Sequence, residues 1–80
     1  MTAELENQVR LIFLRRSLSS GRAQETVRQA GLTNRAVAAL IGVSPASVTS
    51  YFNYGRMPRR KAALRLAHLL EQLEVVRDAS

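Results

Sequence analysis

The side chains best suited to chemistry in this 80-residue chain are its basic ones, and they are unevenly placed. The chain has 12 Lys and Arg residues against 6 Asp and Glu, a formal net charge of +6 at pH 7. All the acids lie towards the two ends, so the stretch from Thr26 to Leu70 contains seven basic residues and no acidic one. A basic block of this kind indicates a polyanionic partner. A solvated basic face without a partner is the alternative.

Other reactive side chains are absent or isolated. The chain has no cysteine, which excludes disulfides and thiolate metal sites. The single histidine, His68, lies in the apolar run LAHLL with no carboxylate expected nearby, which is typical of a surface or core-edge residue. No metal-ligand spacing, phosphate-binding loop or nucleophile motif is present. The sequence therefore predicts a protein that is not an enzyme and has no cofactor or small-molecule ligand.

Length and hydropathy limit the class of protein. Eighty residues predict a single domain, 1–80, near the lower size limit for a self-sufficient core. No apolar run approaches the roughly 18–20 residues that span a bilayer, so no membrane partner is expected. The beginning, MTAELENQVR, is too polar and acidic for a secretory signal. We expect a cytoplasmic protein, associated with the nucleoid if the polyanion is DNA.

The central stretch, LTNRAVAALIGVSPASVTSYFN (32–53), predicts two short helices joined by a tight corner at Gly42. Thr33 is a favourable N-cap for the first helix. Ser44 is a favourable N-cap for the second, where Pro45 takes the first position at no hydrogen-bond cost. Gly42 follows the last apolar residue of the first helix, where a left-handed residue can end a helix without a Cβ clash.

Apolar residues recur at helical spacing in both helices. The predicted buried residues are Val37, Ala38, Leu40 and Ile41 in the first helix and Val48, Tyr51 and Phe52 in the second. Ala38 supplies the small residue that so tight a corner needs, because a bulkier side chain would push the helices apart. Two helices joined in this way form a helix-turn-helix; the alternative is two ordinary helices of a bundle.

This segment resembles the helix-turn-helix family of the phage repressors Cro and lambda repressor, also called the xenobiotic-response-element family. The matching residues are Leu32, Thr33, Ala38, Gly42, Val43, Ser44, Val48 and Tyr51. Gly55, Pro58 and the run ALRLAHLL (63–70) are similar to the family's continuation into its closing helix, so the resemblance covers about residues 24–73. The response-regulator type of helix-turn-helix shares the phrase LTNR…AALIGVS, but the sequence after Tyr51 is closer to the repressor type.

Scarce proline and the lack of β-branched alternation predict an all-α fold. The resemblance implies a small repressor-like domain, here of four to five helices with an extra N-terminal helix that lies outside the family match. The predicted elements are a helix over 3–18 that Ser19, Ser20 and Gly21 end, a short helix over 22–30, the helix-turn-helix over 33–53 and a closing helix over 58–77. The short helix has an apolar stripe of Ala23, Val27 and Ala30.

Two departures from the family pattern stand out. Phe52 replaces a frequent glutamate and is expected to be buried against Val27, and Gly55 comes one residue late.

A helix-turn-helix places its second helix in the major groove of DNA, and the resemblance points to the same positions. The predicted base contacts are Pro45, Ala46, Ser47, Thr49 and Ser50. The predicted phosphate contacts are Thr33, Asn34 and Arg35 before the corner and Asn53, Tyr54, Arg56, Arg59, Arg60 and Lys61 after it. The base-contact set contains no Arg, Gln or Asn, so sequence reading is expected to rest on hydroxyls, thymine-methyl contact and DNA shape.

The predicted N-terminal helix has apolar residues on two opposite faces. One face carries Leu5, Val9, Ile12 and Phe13, and the other carries Leu11, Leu14 and Leu18. One face must pack on the domain, and the other is expected to pack on a second copy, so these seven residues form the predicted dimerisation set. The sequence leaves open which face does which. Full burial inside one subunit is the alternative.

Two functions from different classes follow. The first is a sequence-specific transcriptional regulator of bacterial or phage origin, which binds a palindromic stretch of double-stranded DNA as a homodimer. It would repress by blocking RNA polymerase or activate by contacting it. The second is a protein-interaction module, antiactivator-like or antitoxin-like, that uses the doubly apolar N-terminal helix and a degenerate helix-turn-helix.

Overall fold

The computed structural model describes residues 2–79, which form five α-helices and no strand. The helices are α1 (Ala3–Ser20), α2 (Arg22–Gln29), α3 (Asn34–Ile41), α4 (Pro45–Tyr54) and α5 (Arg60–Ala79). The long helices α1 and α5 pack on each other and on α2, while α3 packs on α4 and α5. The predicted all-α fold of four to five helices is confirmed.

Helix ends differ from those predicted by up to two residues, as at the end of α1 and at both ends of α5. Helix α1 continues through Ser20 instead of ending at 18, because only Gly21 adopts the left-handed conformation (φ 82°) that ends it. Both serines are accommodated in the last turn, where the Ser20 hydroxyl donates to the Ser17 carbonyl oxygen. Helix α5 begins at Arg60 and not at Pro58, which lies buried in the preceding loop.

One apolar core joins all five helices. Its buried residues are Leu14 and Leu18 (α1), Ala23 and Val27 (α2), Val37, Ala38 and Ile41 (α3), Val48, Tyr51 and Phe52 (α4), and Ala63, Leu66 and Ala67 (α5). Phe52 and Val27 are both part of this core, in agreement with the predicted burial of the Phe52 ring. Each fully buried Val, Leu, Ile or Phe contributes about 1.5–3 kcal/mol, so packing fixes α3 and α4 against the rest of the chain.

Two residues predicted to be buried are exposed. Leu40 is 58 % exposed, because Val37, Ala38 and Ile41 already define the inner face of a helix only two turns long. Ala30 lies beyond the end of α2, and the third buried residue of that helix is Thr26.

The corner between α3 and α4 has the predicted geometry. Gly42 is left-handed (φ 78°, ψ 37°). The N–H groups of Gly42 and Val43 both donate to the carbonyl oxygen of Ala38, at 2.9 and 3.0 Å, and Ala38 itself is buried. The predicted caps are also present: the Thr33 hydroxyl accepts from Ala36 N–H, and Ser44 caps α4 with Pro45 in its first turn.

We expect Gly42→Ala to lower the free energy of unfolding by about 1–2 kcal/mol, the cost of a left-handed alanine. The added Cβ would lie 2.9 Å from Nη1 of Arg65, the far end of a flexible side chain that can move away, so backbone strain dominates. Urea unfolding measures the loss. Gly31→Ala is the matched control, since Gly31 has φ +79° and open space around it. A loss at position 42 more than twice that at position 31 would contradict backbone strain as the main cause.

Candidate nucleic-acid interface

The hydroxyl groups of α4 are mostly used inside the protein. The Ser44 hydroxyl accepts from Ser47 N–H at 3.1 Å and lies 2.9 Å from the Ser47 hydroxyl. The Thr49 hydroxyl donates to the Pro45 carbonyl oxygen at 3.1 Å. Within the described part of the chain, Ser50 makes no such side-chain hydrogen bond. Of the three predicted base-contacting hydroxyls, that of Ser50 is therefore the one with no internal hydrogen bond to compete with a ligand.

A hydrogen bond connects the start of α3 to α4. The side-chain amide of Asn34 donates to the Thr49 hydroxyl at 3.2 Å, in a half-buried position. Asn34 was predicted to contact phosphate and Thr49 to contact bases, but here the two hold each other. One N–H of the Asn34 amide remains available for an acceptor such as a phosphate oxygen.

A groove of about 680 Å³ lies between the α3–α4 corner, the outer side of α4 and the segment from Arg56 to Arg65. Its lining includes Ala46, Ser47 and Ser50 from the predicted base contacts and Arg56, Arg59 and Lys61 from the predicted phosphate contacts. We call it the basic groove. The structure therefore brings part of each predicted set to one concave surface, although residues 46 and 61 are far apart in sequence.

Arg65 also lines the basic groove, and the sequence analysis missed it. Its guanidinium donates a long hydrogen bond, 3.5 Å, to the carbonyl oxygen of Ile41 at the end of α3. A cation at the C-terminus of a helix is favourable because the last carbonyl groups carry partial negative charge. The sequence could have predicted Arg65 as a further basic residue of this surface. It follows Lys61 by four residues, which puts both side chains on one face of α5.

Three acids of the chain ends pair with arginines away from this groove. The ion pairs are Arg10–Glu71 at 3.0 Å, Arg22–Glu74 at 3.3 Å and Arg60–Glu4 at 2.8 Å. Arg56, Arg59, Lys61 and Arg65 form no ion pair within the described residues. Four unneutralised cations thus line the basic groove, and four others outside its lining are Arg15, Arg16, Arg28 and Arg35.

The structure places Arg60 apart from Arg59 and Lys61, and its contact with phosphate stays a prediction. Arg60 was predicted to contact phosphate together with Arg59 and Lys61, but it lies outside the lining of the basic groove. Its guanidinium instead donates to both carboxylate oxygens of Glu4, in the first turn of α1. The packing of α1 against α5 brings the two together, a contact that the local sequence does not reveal.

The remaining predicted contacts are not part of the groove lining. Pro45 and Arg35 are exposed in the first turns of α4 and α3, and Asn53 and Tyr54 are exposed at the end of α4. The Thr33 hydroxyl is occupied as the N-cap of α3, at 3.1 Å from Ala36 N. Their contacts with DNA stay predictions.

Burial separates the two faces of α1. Leu14 and Leu18 lie in the core of a single chain and Leu11 is half-buried against it, so their place in the predicted dimerisation set is wrong. These three leucines are covered by the core because α1 packs on α2 and α5. On the opposite face, Leu5, Val9, Ile12 and Phe13 remain between 40 and 63 % exposed.

His68 has a carboxylate closer than the sequence suggested. Its Nδ1 lies 3.9 Å from Oε2 of Glu71, but both side chains are exposed and Glu71 already binds Arg10. Among residues 2–79, no group of His, Asp and Glu side chains is arranged to hold a metal ion. None of the described helices combines the length and the apolar character needed to cross a membrane.

Comparison with known families gives one match. A family model described as Helix-turn-helix matches residues 25–74, more than half of the chain. The matched range contains α3, α4 and the basic groove, and it leaves α1 outside. No curated protein and no solved structure is significantly similar to the chain.

The Asn34–Thr49 hydrogen bond can be tested by a double-mutant cycle with Asn34→Ala and Thr49→Val. We expect each change to lower the free energy of unfolding, and the double variant to lose less than the sum, with a coupling energy of about 0.5–1.5 kcal/mol. Ser50→Ala, on the same helix, is the control and should change stability by less than about 0.5 kcal/mol. Strict additivity in urea unfolding would mean that the bond contributes nothing.

Proposed function

We propose that this chain is a bacterial or phage transcriptional regulator that acts on promoter DNA. The chain belongs to the Cro and lambda-repressor type of the helix-turn-helix family. DNA binding is the activity of this family, and enzymatic activity is not. The observation that carries the proposal is the basic groove, where the outer side of α4 meets four cations that have no acidic partner in the described chain.

In the proposed complex, α4 lies in the major groove of DNA. Ala46 meets a thymine methyl group, and the Ser50 hydroxyl bonds a base edge. Phosphates along the rim of the DNA major groove are neutralised by Arg56, Arg59 and Lys61. Arg35 and the free N–H groups at the start of α3 bind a further phosphate, since a helix N-terminus attracts anions.

Sequence reading in this complex is shared between few base contacts and the shape of the DNA. The Ser47 and Thr49 hydroxyls already make internal hydrogen bonds and offer a base only their remaining capacity, which favours Ser50 and Ala46. Phosphate contacts fix the position of α4 and supply most of the affinity. Deformability of base pairs that the protein does not touch then adds specificity.

The proposed regulator acts as a homodimer on a palindromic operator in the nucleoid of the cytoplasm. The described chain measures 34 × 31 × 22 Å, so two copies side by side have the dimensions to reach half-sites one DNA turn, about 34 Å, apart. It represses by covering the polymerase site or activates by touching RNA polymerase with a surface away from DNA.

The second candidate is a protein-interaction module that does not bind DNA. The observation that favours it is the exposed apolar face of α1, which lies outside the region matched to the family. Titration with double-stranded DNA distinguishes the two functions.

We expect the protein to bind duplex DNA of any sequence with a dissociation constant well below about 10⁻⁴ M at low salt, and to lose affinity steeply as salt is raised. Fluorescence anisotropy at several salt concentrations measures both. Affinity weaker than that for every duplex, with no salt dependence, would support the protein-interaction module instead.

Matched variants locate the phosphate contacts in the same titration. Arg59→Ala should weaken binding to all duplexes alike and reduce the slope of log K against log salt by about 0.9, the value for one lost phosphate contact. Arg60→Ala is the control, because Arg60 is bound to Glu4 and lies outside the basic groove. Equal slopes for the two variants would show that the groove is not the phosphate-binding surface.

Selection of bound duplexes from a random pool tests base contact. The wild-type protein should select a palindrome, and Ser50→Ala should change the preferred base at one position in each half-site. Arg59→Ala should leave the preferred sequence unchanged, since phosphate contacts carry no direct base information. A preferred sequence that survives Ser50→Ala intact would assign the base contacts to another face.

A further inference from the structure

The outer face of α1 is a continuous apolar stripe with no partner in the described chain. Leu5, Val9 and Ile12 follow one another at helical spacing and are 51, 40 and 59 % exposed, and Phe13 beside them is 63 % exposed. A contiguous exposed apolar patch on a small protein marks an interaction surface. We call this face the α1 stripe.

The stripe carries charge of opposite sign near its two ends. Arg16 takes the next stripe position, four residues after Ile12, and Glu6 adjoins Leu5 at the other end. Both side chains are exposed, and neither forms an ion pair within the described residues. A two-fold interface brings the same patch of two copies together, so it must be complementary to itself. A stripe with an acid at one end and a base at the other is complementary to a second copy of itself only when the two helices are antiparallel.

We infer that the α1 stripe binds the α1 stripe of a second copy with the two helices antiparallel. A parallel pair would place Arg16 against Arg16 of the second copy, where like charges repel. An antiparallel pair places Arg16 beside Glu6 of the second copy, with its aliphatic stem over Leu5. The inference deepens the proposed homodimer by giving its interface and orientation.

The spacing of the stripe also fixes the register. If the two-fold axis passes midway between residues 10 and 11 of both helices, Val9 lies opposite Ile12 of the second copy. Leu5 then lies opposite Arg16 of the second copy. By symmetry the same pairs form twice. Phe13 extends the apolar surface towards α5, where it lines a groove of about 670 Å³ together with Val75. Val75 is 62 % exposed, so the apolar surface of the dimer continues from α1 onto the end of α5.

The oligomeric state tests the interface. Light scattering over a range of protein concentrations should show a dimer, and Ile12→Glu should raise its dissociation constant at least about 30-fold, as expected for a central apolar contact. Leu40→Glu is the matched control, since Leu40 is 58 % exposed on α3, and it should leave the dimer intact. Circular dichroism checks that both variants keep their helices. A wild-type protein that stays monomeric throughout, or equal effects of the two variants, would overturn the inference.

Disulfide formation tests the orientation, and the chain is suited to it because it has no cysteine of its own. In the antiparallel register, positions 6 and 16 of different copies are offset by only one residue, about 1.5 Å, along the helices. Two copies of position 6 are about 13 Å apart along the helices, and two copies of position 16 about 16 Å, beyond the reach of a disulfide. Mixed Glu6→Cys and Arg16→Cys proteins should therefore form a heterodimeric disulfide under mild oxidation. Rapid self-linking of Arg16→Cys alone, or no linking of the mixture, would overturn the antiparallel pair.

Both measurements are made without DNA. A dimer that binds no duplex would contradict the proposed function and leave this interface standing. A monomer that binds duplex DNA would contradict the interface alone.

Discussion

The carbonyl oxygen of Ala38 accepts hydrogen bonds from both Gly42 and Val43, and the direction of α4 depends on this one group. The two bonds end α3 within a single left-handed residue, so Ser44 can cap α4 immediately afterwards. Val48, Tyr51 and Phe52 then face the core, and Ala46 faces outward. A longer or looser connection would let α4 rotate, and the side chains offered to a ligand would change with it.

Charge is sorted by the packing of the helices. Glu4, Glu71 and Glu74 bind arginines on the side where α1, α2 and α5 meet. Each exposed pair is worth only about 0–1 kcal/mol, so the pairs matter less for stability than for where net charge is left. What is left is a basic groove without an acid, on the side that presents α4. A polyanion approaching the protein is therefore drawn to that side and meets no repulsive carboxylate in the groove.

Local features of the chain were predictable and contacts between distant segments were not. The corner, its two caps and the burial of Phe52 follow from residues a few positions apart, where glycine, serine and proline have strong preferences. The pairing of Arg60 with Glu4 and the approach of Arg65 to Ile41 depend on how α5 crosses α1 and α3. The two faces of α1 looked equivalent in the sequence, because apolar spacing shows that a face exists and not what covers it.

The recognition surface reflects a conflict between holding α4 in place and reading DNA. A short helix at the surface needs its cap, and Ser44, Ser47 and Thr49 use their hydroxyls for that purpose or for the bond to Asn34. Those hydroxyls have less hydrogen-bonding capacity left for a base, since part of it is already used inside the protein. Their value lies in rigidity: α4 would lose little conformational freedom on binding, so the proposed weak contacts from Ser50 and Ala46 would be realised in full. Pairing two such helices in a dimer doubles these contacts while the second half-site is bound at high effective concentration. A sparse recognition helix is in this way compatible with specific regulation, provided that the chain acts as a pair.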